Sequence, residues 1–239
     1  MRGLDGLRVL VTGAAGGIGS AVTQRLVDEG ARVAAADLAA PETAAETAVA
    51  GDVTAEDGAA RVVGDATSAL GGLDALVLTA GIHYVGPTHE MSADDFDRVL
   101  AVSARGTFLC LRAALPAMLE QRAGRIVTYG STAALVGAPG LTAYAAAKGA
   151  VLQISRSVAA EYASRGIRAN CLCPGATDTP LLRRLMADRE DPEHFAQAHP
   201  IGRFANADEI AGATAYLLSD DASYFVGSAV VCDGGFTAV

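Results

Sequence analysis

Eight residues near the start of the chain, Thr12-Gly13-Ala14-Ala15-Gly16-Gly17-Ile18-Gly19, constrain its fold more than any others. They follow an apolar run, Arg8–Thr12 (RVLVT), that reads as a short buried strand. After them Ala, Val and Leu recur at helical spacing to about Glu29, and Gly30 serves as the C-cap. Glycines between a strand and a helix let the backbone bend sharply and come close to a ligand. The helix N-terminus then presents free N–H groups and a positive dipole end to phosphates. A glycine cluster alone is often only a tight turn. The strand–glycine–helix order is what points to a dinucleotide. Gly13, Gly17, Ile18 and Gly19 are therefore candidate cofactor-binding residues.

The rest of the chain continues the alternation. Arg32–Asp37, 74–79 (DALVLT), 125–129 (RIVTY), 167–172 (IRANCL) and 228–232 (SAVVC) read as further strands. Helical patterns fill 55–69, 93–121, 142–164 and 207–219. Strands alternating with helices predict one α/β domain over 1–239, a Rossmann-type three-layer sandwich with a doubly wound parallel sheet. The stretch 39–50 is too short for a full crossover and is expected to be a loop or one helical turn. Residues 178–204 differ in character, with Pro180, Pro192 and Pro200, mixed charge, and Leu181, Leu182, Leu185 and Met186 at helical spacing. They are expected to form a lid over a substrate pocket, with a plain covering helix as the alternative.

A formal charge of −9 argues against general binding to nucleic acid or an anionic membrane, because phosphates call for a basic face. No apolar run is expected to reach membrane-spanning length, and no signal-peptide core is visible at the N-terminus. The four cysteines, Cys110, Cys171, Cys173 and Cys232, lack a C-x-x-C pair and read as buried reduced thiols. Cys171 and Cys173 alternate on a strand and are expected on opposite faces. These features imply a cytoplasmic protein with no nucleic-acid or membrane partner.

Asp37 ends the second strand, where a carboxylate can accept hydrogen bonds from both hydroxyls of an adenosine ribose and would repel a 2′-phosphate. Leu38, Ala39 and Ala40 bring no cation to offset that charge. The expected cofactor is therefore NAD; the alternative is that Asp37 only caps a turn. Asp52-Val53 is placed to meet the adenine edge, or Asp52 to be the N-cap of the next helix.

Ser131, Tyr144 and Lys148 form the chemical constellation. Four residues apart on a helix, Tyr144 and Lys148 share a face. An ammonium about 4 Å from a phenol, at an effective dielectric of about 20, is worth roughly 4 kcal/mol, or about three pKa units. Tyr144 could then ionise near neutrality and remove an alcohol proton, with Ser131, just past a strand end, holding the substrate oxygen. Tyr-x-x-x-Lys is common on ordinary amphipathic helices. Its weight here comes from the serine and the nucleotide fold around it.

With these residues in view, the chain resembles the classical short-chain dehydrogenase/reductase family over nearly its whole length. TGAAGGIG matches TGxxxGxG, YAAAK matches YxxxK, and Ser131 stands at the family's serine spacing. Pro174-Gly175 matches the PG turn before the substrate lid, and Asp233-Gly234-Gly235 the C-terminal DGG. The resemblance implies hydride transfer between NAD and a secondary alcohol or ketone, and a homotetramer or homodimer. It assigns Thr177 and Thr179 to the nicotinamide carboxamide, and Ala80 and Gly81 to the cofactor turn. HEMSADDF, NCLCPGATDTPL and GSAVVCDGGFTAV are similar to dehydrogenases of cyclic hydroxy acids, such as the dihydro-dihydroxybenzoate and dihydroanticapsin dehydrogenases.

Two departures stand out. The family's NNAG turn reads Leu78-Thr79-Ala80-Gly81, and its catalytic Asn is replaced by Ser103. In relatives that Asn bends the helix and holds a water linked to the lysine. A serine hydroxyl still offers a donor and an acceptor, so a retained but slower relay is expected. The alternatives are a weakened NAD(H)-binding sensor or scaffold protein, and an NADP-dependent ketone reductase. His83 and Tyr84 are candidates for the pocket wall, and Arg183, Arg184 and Arg189 for a substrate carboxylate, against solvated-surface readings of each. His89, His194 and His199 have no metal-ligand spacing, and no metal is expected.

Overall fold

The computed structural model describes residues 1–186 and 192–239. Its seven strands are β1 Arg8–Thr12, β2 Arg32–Asp37, β3 Thr47–Ala50, β4 Ala75–Leu78, β5 Gly124–Tyr129, β6 Ile167–Pro174 and β7 Ala229–Cys232. They form one sheet in the order β3-β2-β1-β4-β5-β6-β7, with every pair parallel. The order reverses at β1/β4, and ligands bind beyond the strand C-termini at such a switch point.

Alternation within β1 divides the core. Leu10 faces one layer, which holds helices α2 Glu56–Leu70, α4 Gly106–Gln121 and α5 Thr142–Tyr162. Val9 and Val11 face the other, with α1 Gly17–Asp28 and α8 Ala207–Leu218. In α1 the buried residues Gly19, Val22, Thr23 and Leu26 recur at one-turn spacing and form a single inward stripe.

Three expectations are corrected. Residues 39–50 contain a strand, β3, not only a loop or helical turn. Only Val49 of its four residues is buried, so this edge strand carries almost no apolar signal. Cys171 and Cys173 lie on the same face, as residues two apart on a strand must. Both sulfurs lie against Gly130, and both thiols pack with Val151 and Leu152. The helical run Ala93–Gln121 does have the length and apolarity to cross a membrane: it spans 29 residues and contains an 18-residue window of mean hydropathy 1.3. Half of that window is buried inside the fold, and Leu109, Leu111, Ala114 and Met118 sit in the core beside α2.

That run is also not one α-helix. It consists of α3 Ala93–Leu100, a π-helical turn Ala101–Arg105, and α4. Ser92 caps α3 by accepting from Asp95 N. Beyond β6, α6 Pro180–Met186 and α7 Pro192–Gln197 lie in the segment expected to be the lid. The base of that segment is pinned: Asp178 N donates to Ala205 O (2.8 Å) and Ala205 N to Ala176 O (2.9 Å).

Candidate functional site

The glycine turn stands at the C-terminal end of β1, as expected. Gly13 adopts φ +71°, and a Cβ there would lie 2.6 Å from Ala80 N. A Cβ on Gly19 would collide with the Gly13 carbonyl oxygen. The turn therefore requires glycine sterically, and it leaves the α1 N-terminus without a side-chain cap. Those free N–H groups, beside a cradle that side chains would fill, suit a pyrophosphate. Thr79, at the family's asparagine position, donates to Thr12 O (2.7 Å) and Gly13 O (3.3 Å), tying β4 to the turn. Gly17 faces Thr179 and Pro180, so the turn also abuts the root of α6.

Asp37 reaches this turn. Its Oδ2 accepts from Ala15 N (2.9 Å) and its Oδ1 from Leu38 N (2.8 Å). The side chain is held at the end of β2, with lone pairs left over for ribose hydroxyls. Asp52 is not the N-cap of α2, which is Ala55. It accepts from Thr54 N (2.8 Å) and so tightens the turn two residues before that helix, an arrangement that competes with capping. Val53 packs against Gly106 at the start of α4.

One cavity of about 270 Å³ gathers most of the other candidates. Ile18, Gly81, Ser131, Tyr144, Lys148, Pro174, Gly175, Thr177 and Thr179 all line it, and so does His83. Thr179 Oγ1 accepts from Leu182 N (3.3 Å), which starts α6 over the cavity. Sequence reasoning missed the apolar wall of Val136, Pro139 and Leu141, together with Phe195 and Phe236. No sequence signal marks this wall: Val136, Pro139 and Leu141 lie in the loop past β5 without periodic spacing, and Val136 stays 40% exposed. Tyr84 instead packs beside Val99 and Ala143 and does not line the cavity. Ala80 holds the glycine turn from behind.

Lys148 is buried, and Nζ donates to the Tyr129 carbonyl at the end of β5 (2.8 Å). Burial pulls its pKa down to about 8. Nζ lies 5.6 Å from the Tyr144 ring centroid. Helix spacing alone predicts an ammonium that lowers the phenol; here burial dominates and raises Tyr144, while the Ser131 hydroxyl opposes the rise. Low surrounding dielectric penalises the phenolate more than the more distant cation favours it. Ser103 sits in the π turn with its Oγ fully buried and without a hydrogen-bond partner among the described residues. A Cβ on Gly81 would lie 3.3 Å from both Ser103 Oγ and Lys148 Nζ, so the two groups are neighbours.

Of the arginines considered for a substrate, Arg183 is engaged by Asp178 through two bonds (2.8 and 3.1 Å). Arg184 is exposed, and Arg189 and the His194 side chain lie outside the described residues. His199 is buried in an aromatic cluster with Phe195, Phe204 and Phe236. His89 is exposed beside Glu90.

A tyrosine–lysine pair and a serine converging beside a nucleotide cradle is the arrangement of an alcohol-oxidising or ketone-reducing enzyme, and comparison agrees. A family model described as enoyl-(acyl carrier protein) reductase matches residues 13–237. The chain belongs to that family, within the classical short-chain dehydrogenase/reductases, and is a nicotinamide-dependent oxidoreductase acting on CH–OH groups. Among its relatives, 2-(S)-hydroxypropyl-CoM dehydrogenase 3 of Xanthobacter autotrophicus is 40% identical over 246 residues, covering 97% of this chain and 96% of the relative. Cis-4-hydroxycyclohexanecarboxylate dehydrogenase of Sinomonas cyclohexanicum is 40% identical over 241 residues, covering 96% of each. A solved levodione reductase superimposes with a TM-score of 0.93 at 36% identity, covering 98% of this chain and 99% of that one.

Proposed function

We propose that the protein oxidises a small secondary alcohol to its ketone with NAD. The observation that carries this reading is the convergence of Ser131, Tyr144 and Lys148 with Pro174, Gly175, Thr177 and Thr179 on one cavity. Pro174, Gly175, Thr177 and Thr179 would hold the nicotinamide, which would supply the acceptor for the hydride of the carbinol carbon. Tyr144 takes the hydroxyl proton, so the alcohol loses one hydride and one proton and leaves as the ketone. Ser131 hydrogen-bonds the substrate oxygen and fixes the carbon's orientation. Lys148, anchored on Tyr129 O, supplies positive charge near the phenol. Ser103 offers its buried hydroxyl to a proton path beside that lysine.

Asp37 supports NAD over NADP, because its carboxylate already stands at the ribose end of the cradle and would repel a 2′-phosphate. Gly13, Gly17, Ile18, Gly19, Ala80 and Gly81 would hold the diphosphate and its neighbours, and Asp52-Val53 would border the adenine. The relatives' names support a cyclic or short hydroxylated substrate. Ser103 in place of the family's asparagine favours a second reading, a dinucleotide-binding protein whose catalysis is weakened.

The test is formation of reduced dinucleotide from NAD and from NADP over a panel of cyclic and aliphatic secondary alcohols. Turnover with NAD that is lost in Tyr144→Phe supports the reading. Tighter binding and faster turnover with NADP would replace it with the ketone reductase. Dinucleotide binding without turnover of any alcohol would favour the weakened form.

A further inference from the structure

Behind the wall of the cavity lies a pair of thiols that the transfer of hydride and proton does not use. Cys171 and Cys173 share one face of β6 and are wholly buried. On the neighbouring strand Thr128 stands in register with Cys171. Two residues further along β5, on the same face, comes Gly130, which brings no side chain. A Cβ built there would lie 2.8 Å from Cys173 Sγ and 2.9 Å from Cys171 Sγ. That is too close for carbon, but it marks one point within reach of both sulfurs. A metal–sulfur bond of about 2.3 Å fits such a point once each thiol leans in by about half an ångström.

The pair cannot close on itself without moving the backbone. Strand residues rise about 3.3 Å each, so two Cβ atoms on one face stand about 6.6 Å apart. A disulfide needs them about 3.5–4.5 Å apart. The pair also suits no ion that demands four ligands, because no group of three or more His, Cys, Asp or Glu able to hold a metal occurs among the described residues. Two thiolates alone match a soft cation that accepts two ligands in line, and among biological metals that is Cu(I).

The surroundings carry the matching charge. Cu(I) displaces one proton from each thiol, keeps its oxidation state, and leaves a bis-thiolate of net charge −1, with both protons going to solvent. A buried anion calls for a partner. Lys148 supplies one: its Nζ donates to the carbonyl of Tyr129, the residue before Gly130 (2.8 Å), and its charge acts on both thiols. The buried Thr128 hydroxyl has no hydrogen-bond partner among the described residues, and a thiolate at Cys171 would give it an acceptor. The way in is short, because Gly130 and Pro174, the residue after Cys173, both line the cavity.

The geometry points to a binding site for a soft, two-coordinate cation, Cu(I), held by Cys171 and Cys173 in the space left by Gly130. This site goes beyond the oxidation reading and does not depend on it. The ion would lie close behind Ser131 and beside Lys148, so filling the site lowers turnover.

The test titrates the intact protein with Cu(I) in the absence of oxygen, against a chromogenic Cu(I) chelator, in the wild type, Cys171→Ala, Cys173→Ala, Cys110→Ala and Cys232→Ala. The wild type should take up a single Cu(I) per chain and release a proton from each thiol. Either change within the pair should weaken binding by more than the roughly tenfold to hundredfold that loss of an outer partner costs a metal site. Cys110→Ala and Cys232→Ala should bind as the wild type does. X-ray absorption of the loaded wild type should show a shell of sulfur alone, with no imidazole nitrogen, a readout that needs no variant to fold. Turnover of an accepted alcohol should fall as the single equivalent loads. Failure of the wild type to compete with the chelator overturns the proposal, as does binding unmoved by Cys171→Ala or Cys173→Ala. Binding lost in Cys110→Ala or Cys232→Ala, nitrogen in the copper shell, or full turnover at full loading places the ion elsewhere and overturns it too. A chain that turns over no alcohol fails the oxidation reading alone, and copper loading still decides the site.

Discussion

Replacing Lys148 by Met should stabilise the protein at neutral pH, and by an amount that depends on pH. Burial brings the Lys148 pKa from an ordinary 10.5 down to about 8. The unfolded chain holds that proton up to the ordinary value, the folded chain only to about 8. Between these values the unfolded state binds more protons, so this group makes stability rise with pH. Below about 8 its full penalty applies, about 3 kcal/mol at 1.36 kcal/mol per pKa unit. Met fills similar volume without the charge, but it gives up the bond from Nζ to Tyr129 O. A neutral amine still makes that bond, so its loss is nearly the same at every pH and cancels when pH values are compared. Integrating the proton uptake, the variant's advantage over wild type should be roughly 2 kcal/mol greater near pH 7 than near pH 9.5. The assay is urea unfolding of the dinucleotide-free protein, wild type and Lys148→Met, at both pH values with matched m-values. A stability gap that does not change with pH would refute the argument that the fold holds a destabilised ammonium at this site. The variant should be inactive in either case.

Other outcomes follow from the same geometry. Tyr144→Phe should lower turnover by about a hundredfold or more while dinucleotide affinity, read by NADH fluorescence, stays within about threefold. Because burial raises the Tyr144 pKa, the phenolate needed for oxidation fills only as pH rises, so alcohol oxidation should accelerate through the alkaline range and ketone reduction should be favoured at lower pH. Ser103→Ala should reduce turnover, since it removes a buried hydroxyl beside Lys148; a Ser103→Asn variant with unchanged turnover would show that this position does not limit the rate. Asp37→Ala should narrow the preference for NAD over NADP by about tenfold or more, measured as the ratio of kcat/KM values.

How much could be read beforehand differed by kind of signal. The glycine turn was legible because Gly13 and Gly19 occupy positions where a Cβ meets backbone atoms, and only glycine writes that constraint into the sequence. The strands β1, β2 and β4, each with four buried residues in a row, announced themselves as apolar runs, whereas β3, with only Val49 inside, did not. Tyr144 and Lys148 were legible through helix spacing, but the sign of the Tyr144 shift was not. It depends on how much protein surrounds the phenol and on Nζ turning to Tyr129 O, and neither is local in sequence. The pocket wall after β5 was missed because Val136, Pro139 and Leu141 have no periodicity; their loop gathers them only once Ser131 has been placed at the strand end. The opposite-face expectation for Cys171 and Cys173 misapplied the strand's two-residue repeat, and the packing of both sulfurs against Gly130 corrects it.

The π-helical turn at Ala101–Arg105 ties two jobs together. Such a turn holds one more residue than its α counterpart, which advances everything after it by about 100° around the axis. The inward direction of Leu111, Ala114 and Met118 is therefore set by the same extra residue that tucks Ser103 beside the lysine. Deleting one residue there would swing the apolar stripe of α4 off α2, so damage would first show as a loosened core. Drift in length at this position is thus barred by folding itself, and only the side chain at 103 is left free to vary with the chemistry.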